Sequence, residues 1–365
     1  DTDFASEPKI LEAMKKRCDH PIFGYADPWD SVYDAIQGWW DRRHGFHAEK
    51  DWMFISSGVV TNIYFNMQML VPKGEKILAF TPVYDPFFAA IENSGHELVA
   101  CPLDHVDNYF TINYERFEDE LKNGVKAVMF CNPHNPVGRV WTEEELRKLV
   151  ELCVKYDVYL FSDEVHADYA LTRNYTTLGK FPEIYDKLII YTAISKSFNM
   201  AGLVSSCLII PNVELKKQVV ADFESRWMFG PCDLAFTAME AAYTYGDTWM
   251  DEARAYVKAN ADATEIVQCY ISDRFASRTR PVKELVGFVR VLIPTGEQRT
   301  VTFFIEPSQT AFLDKDMRWK IEKGQFDVML GKSSDEICFS KTVQVTEDAW
   351  IDGKRRAFYA RTEVR

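Results

Sequence analysis

The sequence has no uncharged run fit to cross a membrane as a helix: the longest, Trp52 to Pro72, is interrupted by Ser56, Ser57, Gly58, Thr61, Asn62, Asn66 and Gln68. Its eight cysteines include no C-x-x-C pair, which argues against a zinc site or a dithiol. Most of them stand in apolar surroundings, as buried thiols do, and this favours a reducing, cytoplasmic setting over a disulfide framework. A basic stretch leading into an apolar one is missing at the start, where the chain begins at Asp1, so no secretory leader is read. Positive charge is in deficit, with 42 Lys and Arg against 55 Asp and Glu for a net of −13, which argues against nucleic acid or an anionic membrane as partner. Apolar residues are not lacking: 47% of the 365 positions are hydrophobic and 27% charged, the make-up of a globular chain of two or three domains.

The charge is unevenly spread. Residues 263–365 carry 17 Lys and Arg against 15 Asp and Glu, a net of +2, which leaves −15 for the first 262 out of −13 overall. Texture changes at the same place, from strands alternating with amphipathic helices to short strands separated by turns. The boundaries expected are therefore a first domain over 1–262, a second over 263–345 and a tail over 346–365.

In the first domain, apolar runs at Ile77–Phe80, Ala127–Cys131, Val158–Phe161, Leu188–Tyr191 and Cys207–Ile210 read as buried strands. Between them, Thr142 to Tyr156 reads as a helix opened by a Thr142/Glu145 capping box, with Leu146, Leu149, Val150 and Cys153 on one stripe. Strand, helix, strand in this order implies an α/β fold with a mostly parallel sheet, and such sheets bind ligands beyond the carboxyl ends of their strands. Three loops lie there: Asn132–Gly138, Ser162–Asp168 and Thr192–Asn199.

Each loop offers a different chemical group. Lys196, between Ser195 and Ser197 after a buried strand, is placed for a partly desolvated, nucleophilic amine. Asp163 ends another strand, where a carboxylate pairs with a protonated ring nitrogen, and Asn135 offers an amide in a Pro-rich turn able to reach a phenolic oxygen. Ser56-Ser57-Gly58-Val59-Val60-Thr61 runs from a turn into an apolar helix ending near Leu70, whose free amides make a phosphate site. Taken singly each has a plainer reading: a surface lysine, a capping aspartate, an ordinary helix start. Together, in order and on one side of one sheet, they describe a pyridoxal 5'-phosphate site with no metal.

The phrases DTDFASEP, FGYADPWDSVYDAI, WWDRRHGF, FTPVYDPFFAAIENSGHELV, MFCNPHNPVGRVWTEEEL, FSDEVHADY and ISKSFNMAGL resemble the fold type I pyridoxal-phosphate enzymes of the aminotransferase class I/II superfamily, and within it the cystathionine β-lyase branch of carbon–sulfur lyases. The resemblance implies Lys196 as the Schiff-base lysine, Asp163 as the pyridinium partner and Asn135 as the contact to the ring oxygen. It further implies that Gly58, Val59, Val60 and Ser195 hold the phosphate and that Tyr84 stacks on the ring. His166 stands where ordinary aminotransferases have a tyrosine, and Tyr25 matches a residue reaching the neighbouring subunit's phosphate, hence a homodimer. The activity implied is β-elimination from cystathionine or another cysteine S-conjugate to thiol, pyruvate and ammonia, with an aminotransferase on the same scaffold as the alternative. The family's segment before Asp1 and its small domain after Trp249–Asp262 have no counterpart in these residues, so the arginine that binds the substrate carboxylate has no assigned position.

Beyond residue 262, Ile266–Ile271, Phe288–Leu292, Val301–Ile305, Phe326–Leu330 and Val343–Val345 read as strands of a β-sandwich, with turns at Thr295-Gly296 and Lys323-Gly324. The phrases EIVQCYISD, SRTRPVKELVGFVRV, PTGEQRTVTFFI, AFLDKDMRW and KGQFDVMLGKSSDEI resemble the fibronectin type III-like C-terminal domain of family 3 glycoside hydrolases such as β-glucosidases. That module is accessory, so Asp314, Asp316 and Glu322 are read as surface charges. Its first strands are missing here, and an open sheet edge is expected at Ile266–Ile271 unless the first domain covers it. A non-catalytic fusion carrying that module is the third functional reading.

Overall fold

The computed structural model describes the chain apart from residues 1, 107–108, 229, 262–263 and 294–297, and the main chain alone of 260, 261 and 264. The junction expected at 262/263 and the turn expected at Thr295-Gly296 lie outside the described residues. Two compact units are present, Asp1–Arg254 and Ala255–Arg365.

The first unit opens with α1 (Pro8–Cys18), α2 (Asp30–His44), β1 (Met53–Ser57), α3 (Val59–Leu70), β2 (Lys76–Thr81), α4 (Pro86–Asn93) and β3 (Glu97–Pro102). An antiparallel pair, β4 (Asp104–Val106) and β5 (Tyr109–Thr111), precedes α5 (Tyr114–Lys122), β6 (Val125–Cys131), α6 (Glu143–Lys155), β7 (Tyr159–Asp163) and β8 (Leu188–Thr192). Then come α7 (Ile194–Ser197), β9 (Ser205–Ile209), α8 (Val213–Ser225), α9 (Asp233–Tyr245) and α10 (Asp247–Ala261), the last of which runs past the unit's end at Arg254.

Seven of these strands form one sheet in the order β1-β9-β8-β7-β6-β2-β3. Strands β3, β2, β6, β7 and β8 are parallel, whereas β9 runs against both β8 and β1. Side chains alternate between two cores: Leu78, Phe80, Val128, Phe130, Leu160, Ile190 and Ile209 pack into one, and Ile77, Ala79, Ala127, Met129, Phe161, Ile189 and Leu208 into the other. Both faces are therefore covered, which is why the strands read as unbroken apolar runs. Five runs were legible in this way; β1 ends in two serines and β3 is an edge strand with Glu97, Ala100 and Pro102 exposed, so neither stands out.

Helix α6 forms as its sequence dictates. The Glu145 amide donates to Thr142 Oγ1 at 3.1 Å, the Thr142 amide donates to the Glu145 carboxylate at 2.8 Å, and Leu146, Leu149, Val150 and Cys153 are buried. Among the described residues, no helix is long and apolar enough to cross a membrane.

The second unit contains β10 (Thr264–Asp273), β11 (Glu284–Leu292), β12 (Val301–Phe304), β13 (Phe312–Leu313), β14 (Trp319–Ile321), β15 (Gly324–Gly331), β16 (Ile337–Val345), β17 (Ala349–Ile351) and β18 (Arg361–Val364). They pair antiparallel into sheets β11-β10-β15-β16, β13-β14-β17 and β12-β18. Cys269, Ile271 and Val286 are its buried apolar centre, with Phe303, Ile305, Val328 and Leu330 packed against them. Arg280 lies between Asp273 at 3.1 Å and Glu284 at 2.9 Å, in an ion pair nearly closed to water.

Two expectations change. The edge expected at Ile266–Ile271 is not open, because β10 pairs with β11 on one side and β15 on the other; the outer strands are β11 and β16. Residues 346–365 are ordered into β17 and β18, which complete two of the sheets through short stretches with no long apolar run to announce them. Asp314 accepts the amides of Asp316 at 2.9 Å and Arg318 at 3.0 Å, so it caps a turn.

Phe130 is wholly buried against Phe80 and Trp141. Phe130→Ala is expected to cost the first unit about 3–5 kcal/mol, read as a lower urea midpoint of the helical circular-dichroism signal.

Candidate active site

The sheet sets the order of the site. The carboxyl ends of β2, β6, β7 and β8 lie on one edge, and because β9 is reversed, its first residue Ser205 and the last residue of β1, Ser57, lie on that edge too. In register, Cys131 faces Asp163 and Asp163 faces Tyr191. Main-chain bonds extend this beyond the strands, from the Asn132 amide to Asp163 O and from the Glu164 amide to Tyr191 O, both at 2.9 Å. The three loops expected to meet are thus held side by side.

Asp163 closes β7 and is only 5% exposed. Its carboxylate accepts the Val165 amide at 3.1 Å. Burial pushes its pKa up to about 7; the Val165 bond and the nearby charge of Lys196 pull the other way, and Glu164 adds to the rise. Lys196, half-buried, sits on the single turn α7 that begins two residues after β8. Ser195 precedes it there, its carbonyl accepting the Met200 amide at 3.2 Å.

Asn135 is half-buried in the turn after β6, where its main-chain N–H donates to Cys131 Sγ at 3.4 Å. It lines a cavity of about 270 Å³ together with His166, Tyr169 and Leu171. Burial first, then the Lys196 charge, lowers the His166 imidazole to about 4, so the ring is neutral at pH 7. Tyr84 stands before α4, partly buried and edge-on to Phe87 with centroids 5.5 Å apart.

Gly58 caps α3 with φ +72°, where a Cβ would also lie 3.3 Å from Val204 Cγ1. Its amide is spent on Val204 O at 3.0 Å, so the amides left without a carbonyl one turn back are those of Val59, Val60 and Thr61. Helix α3 is pinned by two wholly buried amides, Asn62 donating to Ser206 Oγ at 2.6 Å and Asn66 to Tyr191 Oη at 3.0 Å. Ser205, opposite Ser57, buries a hydroxyl that has no partner among the described residues. Tyr25 is 95% exposed on the segment before α2, which belongs to none of these loops.

A second ring of residues escaped sequence reasoning. Glu164 is buried and takes hydrogen bonds from Ser162 Oγ at 2.9 Å, the Leu178 amide at 3.1 Å and Tyr175 Oη. Asp168 takes them from Trp39 Nε1 and His44 Nε2, both at 3.0 Å, and from Ser197 Oγ. The signal was in the loop SDEVHAD, which carries three acidic residues where a cofactor partner needs one.

Residues 3–264 match the family model for aminotransferase class I and II, and residues 265–334 that for a fibronectin type III-like domain. The chain belongs to the aminotransferase class I and II family. Within this family it is 36% identical over 268 residues to cystathionine beta-lyase PatB of Bacillus subtilis, covering 73% of this chain and 69% of that protein. It is 30% identical to the protein MalY of Escherichia coli, over 71% of this chain and 67% of the other. The crystal structure of a pyridoxal-phosphate-bound C-S lyase from Staphylococcus hominis superposes with a TM-score of 0.67 at 31% identity, over 71% of this chain and 66% of that one.

The Asp163 environment gives a pH dependence. Between about pH 4 and 7 the native chain holds a proton on Asp163 that the unfolded chain has released, so native stability falls as pH rises through that window. The unfolding free energy of the chain purified without ligand is expected to fall relative to Asp163→Asn, by at most about 1.4 kcal/mol per pH unit. A difference that stays flat would mean that the native carboxylate is ionised throughout.

Proposed function

We propose that the first unit binds pyridoxal 5'-phosphate and acts as a carbon–sulfur β-lyase on cystathionine or a related cysteine S-conjugate, in a cytoplasmic homodimer. The observation that carries the reading is Asp163: a buried carboxylate with one amide donor at 3.1 Å needs a cation, and a protonated ring nitrogen is one. Two further features suit the same group. The open amides of Val59 and Val60 at the start of α3 suit a phosphate, and the unpartnered Ser205 hydroxyl lies on the same sheet edge.

When bound, the cofactor supplies an electron sink for an amino acid joined to it, so that the Cα proton becomes acidic and a group on Cβ can leave. The residues of the chain do the rest. Lys196 Nζ would hold the cofactor and, with its amine free, would take the proton from the substrate Cα. Asp163 holds the proton on the ring nitrogen, Asn135 bonds the ring oxygen, Tyr84 stacks on the ring, and Val59, Val60 and Ser195 hold the phosphate behind the turn that Gly58 permits. The neutral His166 lines the cavity with Asn135 and leaves room for an uncharged contact there. The Cβ–S bond breaks with its electron pair going to sulfur, the thiolate takes up the proton that Lys196 removed from Cα, and one water converts the remaining three-carbon fragment to pyruvate and ammonia.

Lyase rather than transaminase is supported by the lyase relatives at 36% and 31% identity. The dimer is supported by Ile22, Phe23 and Tyr25, exposed on the segment before α2 that carries the phosphate-reaching tyrosine of the family pattern. The cytoplasm is supported by eight free cysteines, five of them buried.

The test is to load the purified chain with pyridoxal phosphate, reduce it with borohydride and map the modified lysine by mass spectrometry. Label on Lys196, together with equimolar thiol, pyruvate and ammonia from cystathionine, is expected. Lys196→Ala should lose the label and at least about a thousandfold in turnover. Amino transfer that depends on a keto acid, without thiol release, would overturn the lyase reading.

A further inference from the structure

We propose that Asp168 is a positioning residue for Lys196, acting through the hydroxyl of Ser197; this rests on the role of Lys196 proposed above.

The turn that carries Lys196 is four residues long and cannot hold its own direction. Its internal closure is the Phe198 amide to Ile194 O at 3.0 Å. What fixes it lies outside. Ser197, next to the lysine and 2% exposed, donates its hydroxyl to Asp168 Oδ2. Phe198, one residue further, is wholly buried against Trp39 with centroids 5.4 Å apart. Trp39 in turn donates Nε1 to Asp168 Oδ1, so the polar and the aromatic anchors of the turn meet on one carboxylate.

Asp168 is built to stay ionised. It is 5% exposed, and burial alone would raise its pKa, but the bonds from His44, Ser197 and Trp39 outweigh burial and hold it below the ordinary carboxylate range. An ionised carboxylate only accepts, so Nε2 of His44 carries the hydrogen of the 3.0 Å contact, and the Ser197 hydroxyl hydrogen must point at Asp168. Its main chain is fixed as well: Arg254 on α10 donates one guanidinium nitrogen to Asp168 O and the other to Ala170 O at 2.8 Å.

The consequence concerns spacing. Asp163 and Asp168 are the two ends of the six-residue stretch in which the chain leaves β7. The first end faces the ring nitrogen in the proposed complex, and the second grips the residue beside Lys196. The Asp168–Ser197 bond therefore ties the lysine turn to the loop that begins at Asp163, and so sets how the amine stands relative to the ring partner. Misplacing a reacting group by about 1 Å costs on the order of a hundredfold in rate.

Ser197→Ala, Asp168→Asn and the double variant test this beside the wild type, read by cofactor affinity from absorbance titration, by the fraction of Lys196 trapped with borohydride at sub-saturating cofactor, by kcat and KM separately, and by thermal unfolding without cofactor. Ser197→Ala is expected to bind cofactor about tenfold more weakly and trap correspondingly less Lys196. Its kcat should fall about ten- to a hundredfold, with KM within about twofold and unfolding close to wild type. Adding Asp168→Asn to Ser197→Ala should take away no more trapping than the larger single effect. Wild-type trapping and kcat in Ser197→Ala overturn the proposal, as do independent, multiplying losses in the double variant or losses that track the unfolded fraction. If the wild type itself takes no label on Lys196, the lyase reading falls and this proposal with it, whereas a labelled wild type with unaffected variants overturns the positioning role alone.

Discussion

Three carboxyl groups are buried within the six residues from Asp163 to Asp168, and the first unit is organised around that cost. Removing a carboxylate from water is repaid only by donors or by a cation. Glu164 is met by a serine, a tyrosine and an amide, and Asp168 by a tryptophan, a histidine and a serine. Apart from Ser162 of β7 itself, those donors come from α2, from the segment around Tyr175 and from the lysine turn, so satisfying the two acids draws otherwise separate elements together. Asp163 alone is left with a single amide. The same loop thus supplies both the braces and the one acid whose ionisation its surroundings leave uncompensated.

How much of this could be read beforehand depended on the kind of signal. Buried strands of a doubly covered sheet announce themselves as apolar runs, and the capped helix α6 by its box and stripe, because each is encoded locally. Lys196, Asp163 and Asn135 were legible because strand ends in a parallel sheet share an edge. What could not be read was which neighbour each group would choose. That the Gly58 amide goes to Val204 O, 146 residues further on, depends on β9 lying between β1 and β8, a matter of sheet order rather than of local sequence. The brace at Asp168 was hidden for the same reason, since its partners Trp39, His44 and Ser197 come from distant parts of the chain.

The second unit shows the opposite balance. Its longer strands were visible in whole or in part, β16 only at Val343–Val345, but the short ones at Phe312–Leu313, Trp319–Ile321, Ala349–Ile351 and Arg361–Val364 were not, because so few residues carry too little alternation to separate from loop. The inner place of β10 followed from its pairing with β15, about sixty residues away. Arg280, held between Asp273 and Glu284, gives this small unit a buried charged anchor beside a modest apolar core.

The reversal of β9 has a consequence for how the site is wired. Parallel neighbours must be joined by connections that leave the edge and return across a face of the sheet, whereas antiparallel neighbours can be joined on the spot. Residues 193–204 join β8 to β9 without leaving the edge where the chemistry is placed. The lysine therefore rides on a segment moored at both ends to adjacent strands, while Asp163 and Asn135 each stand where the chain departs for a helix or a long excursion. Among the candidate site groups, Lys196 has the shortest tether, and a change of length in any crossover elsewhere in the sheet leaves its mooring untouched.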